Sequence, residues 1–160
     1  MAAVLGIGLM AAAGVSLAVL PRGAPSSAPE PAARIELLTA RSEQVAVIDS
    51  GTLRLGDRIV RLRGVEPPSH TTACAGQDCG AAAANALAAM VRDAPVVCQL
   101  GGADGLGRPY AVCHAGGTEL NRAVVAAGWA RASADAPDLA RAEYTARADN
   151  RGVWAQNPDW

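Results

Sequence analysis

An α+β fold built around a small β-barrel is the class this sequence predicts, and three observations carry it. Short apolar runs of β character come first, at residues 34–38 and 45–48, and "TLRLGDRIVRLRGV" alternates apolar with polar residues around Gly56 and Asp57, as a hairpin does. Helical segments are interspersed and terminal, and do not alternate regularly with strands as in a parallel-sheet protein. The 160 residues contain no internal repeat and no Phe, and their apolar half is mostly Ala, Val and Leu, which suits one domain with a core of small side chains.

Residues 1–20, "MAAVLGIGLMAAAGVSLAVL", are apolar and uncharged. At about 1.5 Å per helical residue the run approaches the thickness of a hydrocarbon core, so it reads as a transmembrane signal anchor or a signal peptide. No Lys or Arg precedes it, and the small-residue cleavage site Ser26-Ser27-Ala28 runs into Pro29, which favours an uncleaved anchor. Residues 21–32, "PRGAPSSAPEPA", describe a semi-extended tether. The domain proper is expected over 33–155, with a polar tail at 156–160.

Within the domain, the hairpin is followed by an Ala-rich helix over 79–94 with a narrow apolar stripe of Leu87, Met90 and Val91. A second strand pair, "VVCQL" and "YAVCH", flanks the glycine-rich "GGADGLGRP". Two further helices are expected: 119–127 behind Thr118 as N-cap, and 137–150, with Pro137 in its first turn and Asn150-Arg151-Gly152 at its end.

Four cysteines, at 74, 79, 98 and 113, allow three pairings. Cys98 and Cys113 lie in two strands at comparable distances from the loop that joins them, so they can face each other, leaving Cys74 and Cys79 to close a small loop. Two such disulfides imply an oxidising compartment, and so export. Arg22 and Arg34 after the apolar span argue the opposite orientation under the positive-inside rule, and the cysteines outweigh them. A four-thiolate zinc site is disfavoured because neither pair has C-x-x-C spacing. His70 and His114 are isolated, and no hydrolase-triad order or H-x-x-x-H spacing accompanies them. A net charge of -1 gives no global attraction for polyanions, so a nucleic-acid role must rest on a local patch.

Six segments in order resemble the staphylococcal nuclease (thermonuclease) family over nearly all of residues 43–154. "VIDSGTLRL" resembles its D-G-D-T strand, "VRLRGVEPP" its R-L-x-G-[IV]-D-x-P-E segment, and "CGAAAANALAAMV" its G-x-x-A helix. "DGLGRPYAVC" is similar to D-x-[YF]-G-R-x-L-A, "ELNRAVVAAGWARA" to [DE]-[LV]-N-x-x-[LV]-[LV]-x-x-G-x-A, and "LARAEYTARADNRGVW" to the last helix and its G-[LIV]-W end. The resemblance implies a five-stranded OB barrel with three α-helices, here preceded by the N-terminal helix. It also implies phosphodiester hydrolysis with bound Ca²⁺, in which carboxylates hold the ion, a base activates water and two arginines take up phosphoryl charge.

Carried over residue by residue, Arg61 and Arg108 match the two arginines of that phosphate clamp. Glu66 stands at the metal-binding acid of G-[IV]-D, one methylene longer. Gly51 replaces the second acid of D-G-D-T, and Ser69 replaces the general-base glutamate; serine is no base at neutral pH without an activating partner. Asp49 is the nearest substitute ligand, but on an extended strand it is displaced by about 6.6 Å, and His70 is the nearest substitute base. Asp57 and Arg63 read as solvated hairpin charges.

The resulting expectation is a thermonuclease-like domain impaired in catalysis or serving as a non-catalytic module that binds single-stranded nucleic acid or an envelope protein. The alternatives are an active nuclease with an altered metal site, and a purely structural disulfide-stapled module. Ca²⁺ is the cofactor the resemblance implies, and the replaced positions count against it. A monomer is expected, exported and anchored in the inner membrane facing the periplasm, or secreted if the first segment is cleaved.

Overall fold

The computed structural model describes residues 35–74 and 76–160; the apolar segment 1–20 and the tether 21–32 lie outside the described residues. Strands β1 (Glu36–Ala40), β2 (Val45–Asp49), β3 (Thr52–Leu55), β4 (Arg58–Leu62) and β5 (Val65–Glu66) come first. A short hairpin, β6 (Ala73–Cys74) and β7 (Gln77–Asp78), leads into α1 (Cys79–Val91). Then follow β8 (Val96–Ala103), β9 (Pro109–Ala115), β10 (Thr118–Glu119), α2 (Leu120–Ala126), β11 (Arg131–Ala132) and α3 (Pro137–Ala148).

The α+β class and three α-helices are as expected, but the barrel is not closed. The main sheet runs β1-β8-β9-β4-β3-β2 with β10 added to β9, and no ladder joins β2 back to β1. The two strands are consecutive, separated by the 3-10 turn Ser42–Gln44, yet β8 takes the hydrogen bonds of β1 and β3 takes those of β2. Helix α1 packs against β2, so that flank is covered by a helix and not by a closing strand.

The core uses the small side chains the composition offers. Alternation on β3 and β4 turns Leu53, Leu55, Val60 and Leu62 inward, where they meet Val96 and Ala111 of the second strand pair. Helix α1 buries Ala83, Leu87 and Val91, one residue per turn, and leaves Met90 half-buried. Each such Leu or Val contributes about 1.5–3 kcal/mol on burial.

Cys98 and Cys113 are directly opposed across β8 and β9 and form a disulfide, and Cys74 bonds Cys79 at the first residue of α1. Both pairings are the expected ones. Helix α2 starts one residue later than the sequence suggests: Thr118 is drawn into the β10 ladder opposite Ala115, so Glu119 takes the N-cap position, without a capping side-chain bond. Gly128 and Gly152 both have positive φ and sit back to back: a Cβ on Gly128 would collide with the Arg151 carbonyl, and one on Gly152 with the Gly128 carbonyl. Val153 N–H donates to Gly128 O at 2.9 Å across this contact, which locks the end of α2 to the chain after α3.

Candidate functional site

Arg61 lies on β4 between Thr52 of β3 and Tyr110 of β9. Its neighbours Val60 and Leu62 are buried, so the pleat turns Arg61 to the opposite face, where it is half-buried. Glu66 follows after the bend at Gly64, on β5, with Arg131 of β11 as its backbone partner. Arg61 and Glu66 line one open cleft of about 590 Å³, together with Arg63, Tyr110, Ser133 and Asp135. Among the described residues, neither the Arg61 guanidinium nor the Glu66 carboxylate has a hydrogen-bond or ion-pair partner within the chain. The cleft lining thus carries two cations, Arg61 and Arg63, and two carboxylates, Glu66 and Asp135, of which Arg61 and Glu66 are unengaged among the described residues.

Arg108 immediately precedes β9, two residues before Tyr110, in the loop that joins β8 to β9. It does not line the cleft itself. Its orientation is set by Asp104, a residue that sequence reasoning left without a role. Asp104 Oδ1 accepts from the backbone N–H groups of Leu106 and Arg108, both at 2.9 Å, and Oδ2 accepts from Arg108 Nε at 2.7 Å. Burial works to raise the Asp104 pKa, but these hydrogen bonds and the Arg108 charge outweigh it and hold the carboxyl below its usual value. Only Nε of Arg108 is used, and its two terminal amino groups remain for a ligand. The D-x-x-G-R spacing was the available signal, because an acid four residues before an arginine across a glycine turn can fold back onto it.

Asn121 is the second residue without an assigned role. It is buried, its Oδ1 accepts from Cys113 N–H at 3.0 Å, and its Nδ2 donates to Arg63 O at 2.9 Å and Ala111 O at 3.0 Å. It therefore ties α2 to the end of β4 and to β9, under the face that carries Arg61 and Tyr110. A lone Asn between apolar helix residues is the sequence signal for such a buried staple.

The remaining expected residues do not converge on the cleft. Asp49 Oδ1 accepts from Gly51 N–H at 2.7 Å, which uses the carboxylate to hold the β2–β3 turn. Ser69 Oγ is 2.9 Å from both Thr71 Oγ1 and Thr72 Oγ1 in an exposed turn. His70 has a defined orientation after all: its Nδ1 is 3.2 Å from Asp78 Oδ2, while Asp78 Oδ1 accepts from Gly80 N–H at 2.7 Å and caps α1. The His70 contact is the main cause of a lowered Asp78 pKa, ahead of burial, which opposes it, and of the cap bonds. His114 is exposed on β9 beside Glu119. Asp57 is exposed as well, but Arg63 is not only a solvated charge: its guanidinium donates to Gly101 O and closes one end of the cleft.

Gly51 is buried and directed at the chain that carries Glu66. A Cβ built on it would stand 3.1 Å from Pro67 Cδ and 3.3 Å from Val65 O. A side chain at position 51 would thus press on Pro67 and Val65, which would have to give way by a few tenths of an ångström. Calcium takes six to eight oxygens, and the described residues contain no group of three or more His, Cys, Asp or Glu side chains able to hold an ion. With Asp49 Oδ1 engaged in its turn, no carboxylate at 51 and no cluster of three ligands among the described residues, the donors present do not fit the bound Ca²⁺ that the resemblance implies.

Among the described residues no helix is long and apolar enough to cross a membrane, and the two disulfides are compatible with an extracytoplasmic location. A search against curated proteins found no match. The family model described as Staphylococcal nuclease homologue matches residues 59–156, which takes in β4, the cleft, Asp104, Arg108, Asn121 and all three helices. The chain belongs to the staphylococcal nuclease homologue family.

Proposed function

We propose that this domain binds single-stranded nucleic acid through the Arg61 cleft, outside the cytoplasm, and is impaired in the metal-dependent hydrolysis associated with its family. The observation that carries the reading is the pairing of an unengaged Arg61 with a Gly51 that offers no carboxylate and is crowded by Pro67: the phosphate-binding group is free, and a metal ligand is missing. Arg61 on β4, and Arg108 just before the strand that pairs with it, act as successive phosphate contacts, each suited to bidentate binding of phosphoryl oxygens. Tyr110 beside Arg61 offers a ring on which a base can stack. Residues 1–20 anchor the chain, or are removed as a signal peptide, and 21–32 tether a monomeric domain at the envelope surface. An envelope protein is the second partner class the tether would allow.

The test is binding of a fluorescein-labelled single-stranded oligonucleotide to the full chain in detergent, with and without Ca²⁺, Mg²⁺ or Mn²⁺. Salt-sensitive binding that is lost in Arg61→Ala and does not depend on the cation supports the proposal. The second reading, a nuclease with an altered metal, is favoured by one observation, the free Glu66 carboxylate in the same cleft. Cation-dependent cleavage of DNA that disappears in Arg108→Ala would establish it in place of the first.

A further inference from the structure

Two routes break a phosphodiester, and they ask different things of a protein. Hydrolysis requires a water molecule to be delivered, oriented and deprotonated, the task usually given to a metal ion or a dedicated base. Transesterification within RNA requires less, because the nucleophile is the ribose 2′-hydroxyl, already attached next to the phosphate it attacks. Its effective concentration is built into the substrate. What the protein must add is one base within reach of that hydroxyl and one donor for the charge that collects on the phosphoryl oxygens.

The cleft holds that smaller set. Glu66 and Arg61 line the same space, and neither is engaged by another side chain. The Glu66 backbone is held on one side by its ladder with Arg131 and on the other by Pro67 and Pro68, whose φ angles are fixed, so a mobile carboxylate sits on a stiff support. The losses at Gly51 and Ser69 bear on metal binding and water activation, and this chemistry uses neither. The volume of about 590 Å³ lies within the range of small-ligand clefts, roughly 300–1,000 Å³.

We propose that the cleft cleaves single-stranded RNA by metal-independent transesterification, with Glu66 as the base and Arg61 as the oxyanion donor; this rests on the reading that the cleft binds nucleic acid. The Glu66 carboxylate takes the proton of the 2′-hydroxyl as the 2′-oxygen forms a bond to phosphorus. Negative charge gathers on the non-bridging oxygens, where the Arg61 guanidinium donates. The bond from phosphorus to the 5′-oxygen breaks, that oxygen takes a proton from solvent, and Glu66 returns its own proton to solvent. The products are a 2′,3′-cyclic phosphate and a 5′-hydroxyl; no water is consumed and nothing is oxidised or reduced. DNA binds in the same cleft and is not cut, because it has no 2′-hydroxyl.

The experiment uses the full chain in detergent with excess EDTA and two labelled oligonucleotides, one all-deoxy and one identical except for a single ribonucleotide. The expected result is cleavage at the ribonucleotide alone, unaffected by EDTA, leaving a 2′,3′-cyclic phosphate on the upstream fragment. Glu66→Gln should lower that rate about 100-fold or more while the all-deoxy strand binds no more weakly than to wild type; Arg61→Ala should weaken both. Three results overturn the inference: cutting that EDTA abolishes, cutting of the all-deoxy strand, or a rate equal in wild type and Glu66→Gln. If the all-deoxy strand binds in an Arg61-dependent way and the ribonucleotide survives, the inference fails and the binding proposal stands. If neither strand binds, both fail.

Discussion

Restoring the missing carboxylate by Gly51→Asp should damage the domain before it can attract a cation. A Cβ at position 51 lies 3.1 Å from Pro67 Cδ and 3.3 Å from Val65 O, against an ordinary contact distance of 3.4–4 Å. Both neighbours are poorly placed to yield, one being a proline ring and the other backbone. Overpacking of this kind costs about 1–3 kcal/mol, and in a domain of this size that is a Tm fall of roughly 5–10 °C. The carboxylate itself adds a desolvation cost, since Gly51 is buried.

The assay is thermal unfolding of wild type, Gly51→Asp, Pro67→Ala and the double variant, each with EDTA and with millimolar Ca²⁺. Removing the proline ring should return much of the loss, which appears as a coupling energy of about 1 kcal/mol or more in the double-mutant cycle. A cation bound only by the folded state raises Tm by mass action. Gly51→Asp alone should show no such rise. If Gly51→Asp melts within about 1 °C of wild type, or gains stability on adding Ca²⁺, the idea that Pro67 closes the cation site is wrong.

Arg61→Ala should reduce the slope of log K against log salt for oligonucleotide binding by about 0.7, the value for one phosphate contact to a single strand, when Kd is measured from 50 to 300 mM salt. Asp104→Asn should weaken binding less than Arg108→Ala does, because it loosens the guanidinium without removing it. Asp104 and Asp78 are both held below their usual value of 3.8, so their stabilisation is complete above that pH and is lost as pH falls through the lower folded values. Acid unfolding of the Asp104→Asn, Asp78→Asn double variant, followed by circular dichroism, should therefore be less steep below about pH 4 than that of wild type. Asn121→Leu strands Cys113 N–H, Arg63 O and Ala111 O without their side-chain partner, and urea melts should register a loss of about 3 kcal/mol or more.

The parts of this molecule that were legible in the sequence are those set by local patterning. Alternation around Gly56-Asp57 placed the β3–β4 hairpin, and the equal offsets of Cys98 and Cys113 from their loop placed a cross-strand disulfide that the register bears out. The failure at barrel closure has the complementary cause. Whether β1 and β2 meet depends on what competes for their edges: β3 follows β2 directly and takes one edge, while β8 and α1 are contributed by chain far from the turn that joins β1 and β2. No local pattern encodes that competition.

The site divides along the same line. Arg61, Glu66 and Arg108 could be matched one at a time because each sits in a short local motif, two of them in strands and Arg108 directly before one. The consequence of Gly51 could not, because an absent side chain says nothing about what fills its place. The structure supplies part of that, since Pro67, on the segment that carries Glu66, stands 3.1 Å from where a Cβ on residue 51 would lie, so a larger residue at 51 requires Pro67 or Val65 to give way. What remains is Arg61 and Glu66 in one cleft, neither held by a side-chain partner among the described residues, and that pair is the basis of the proposed phosphate binding.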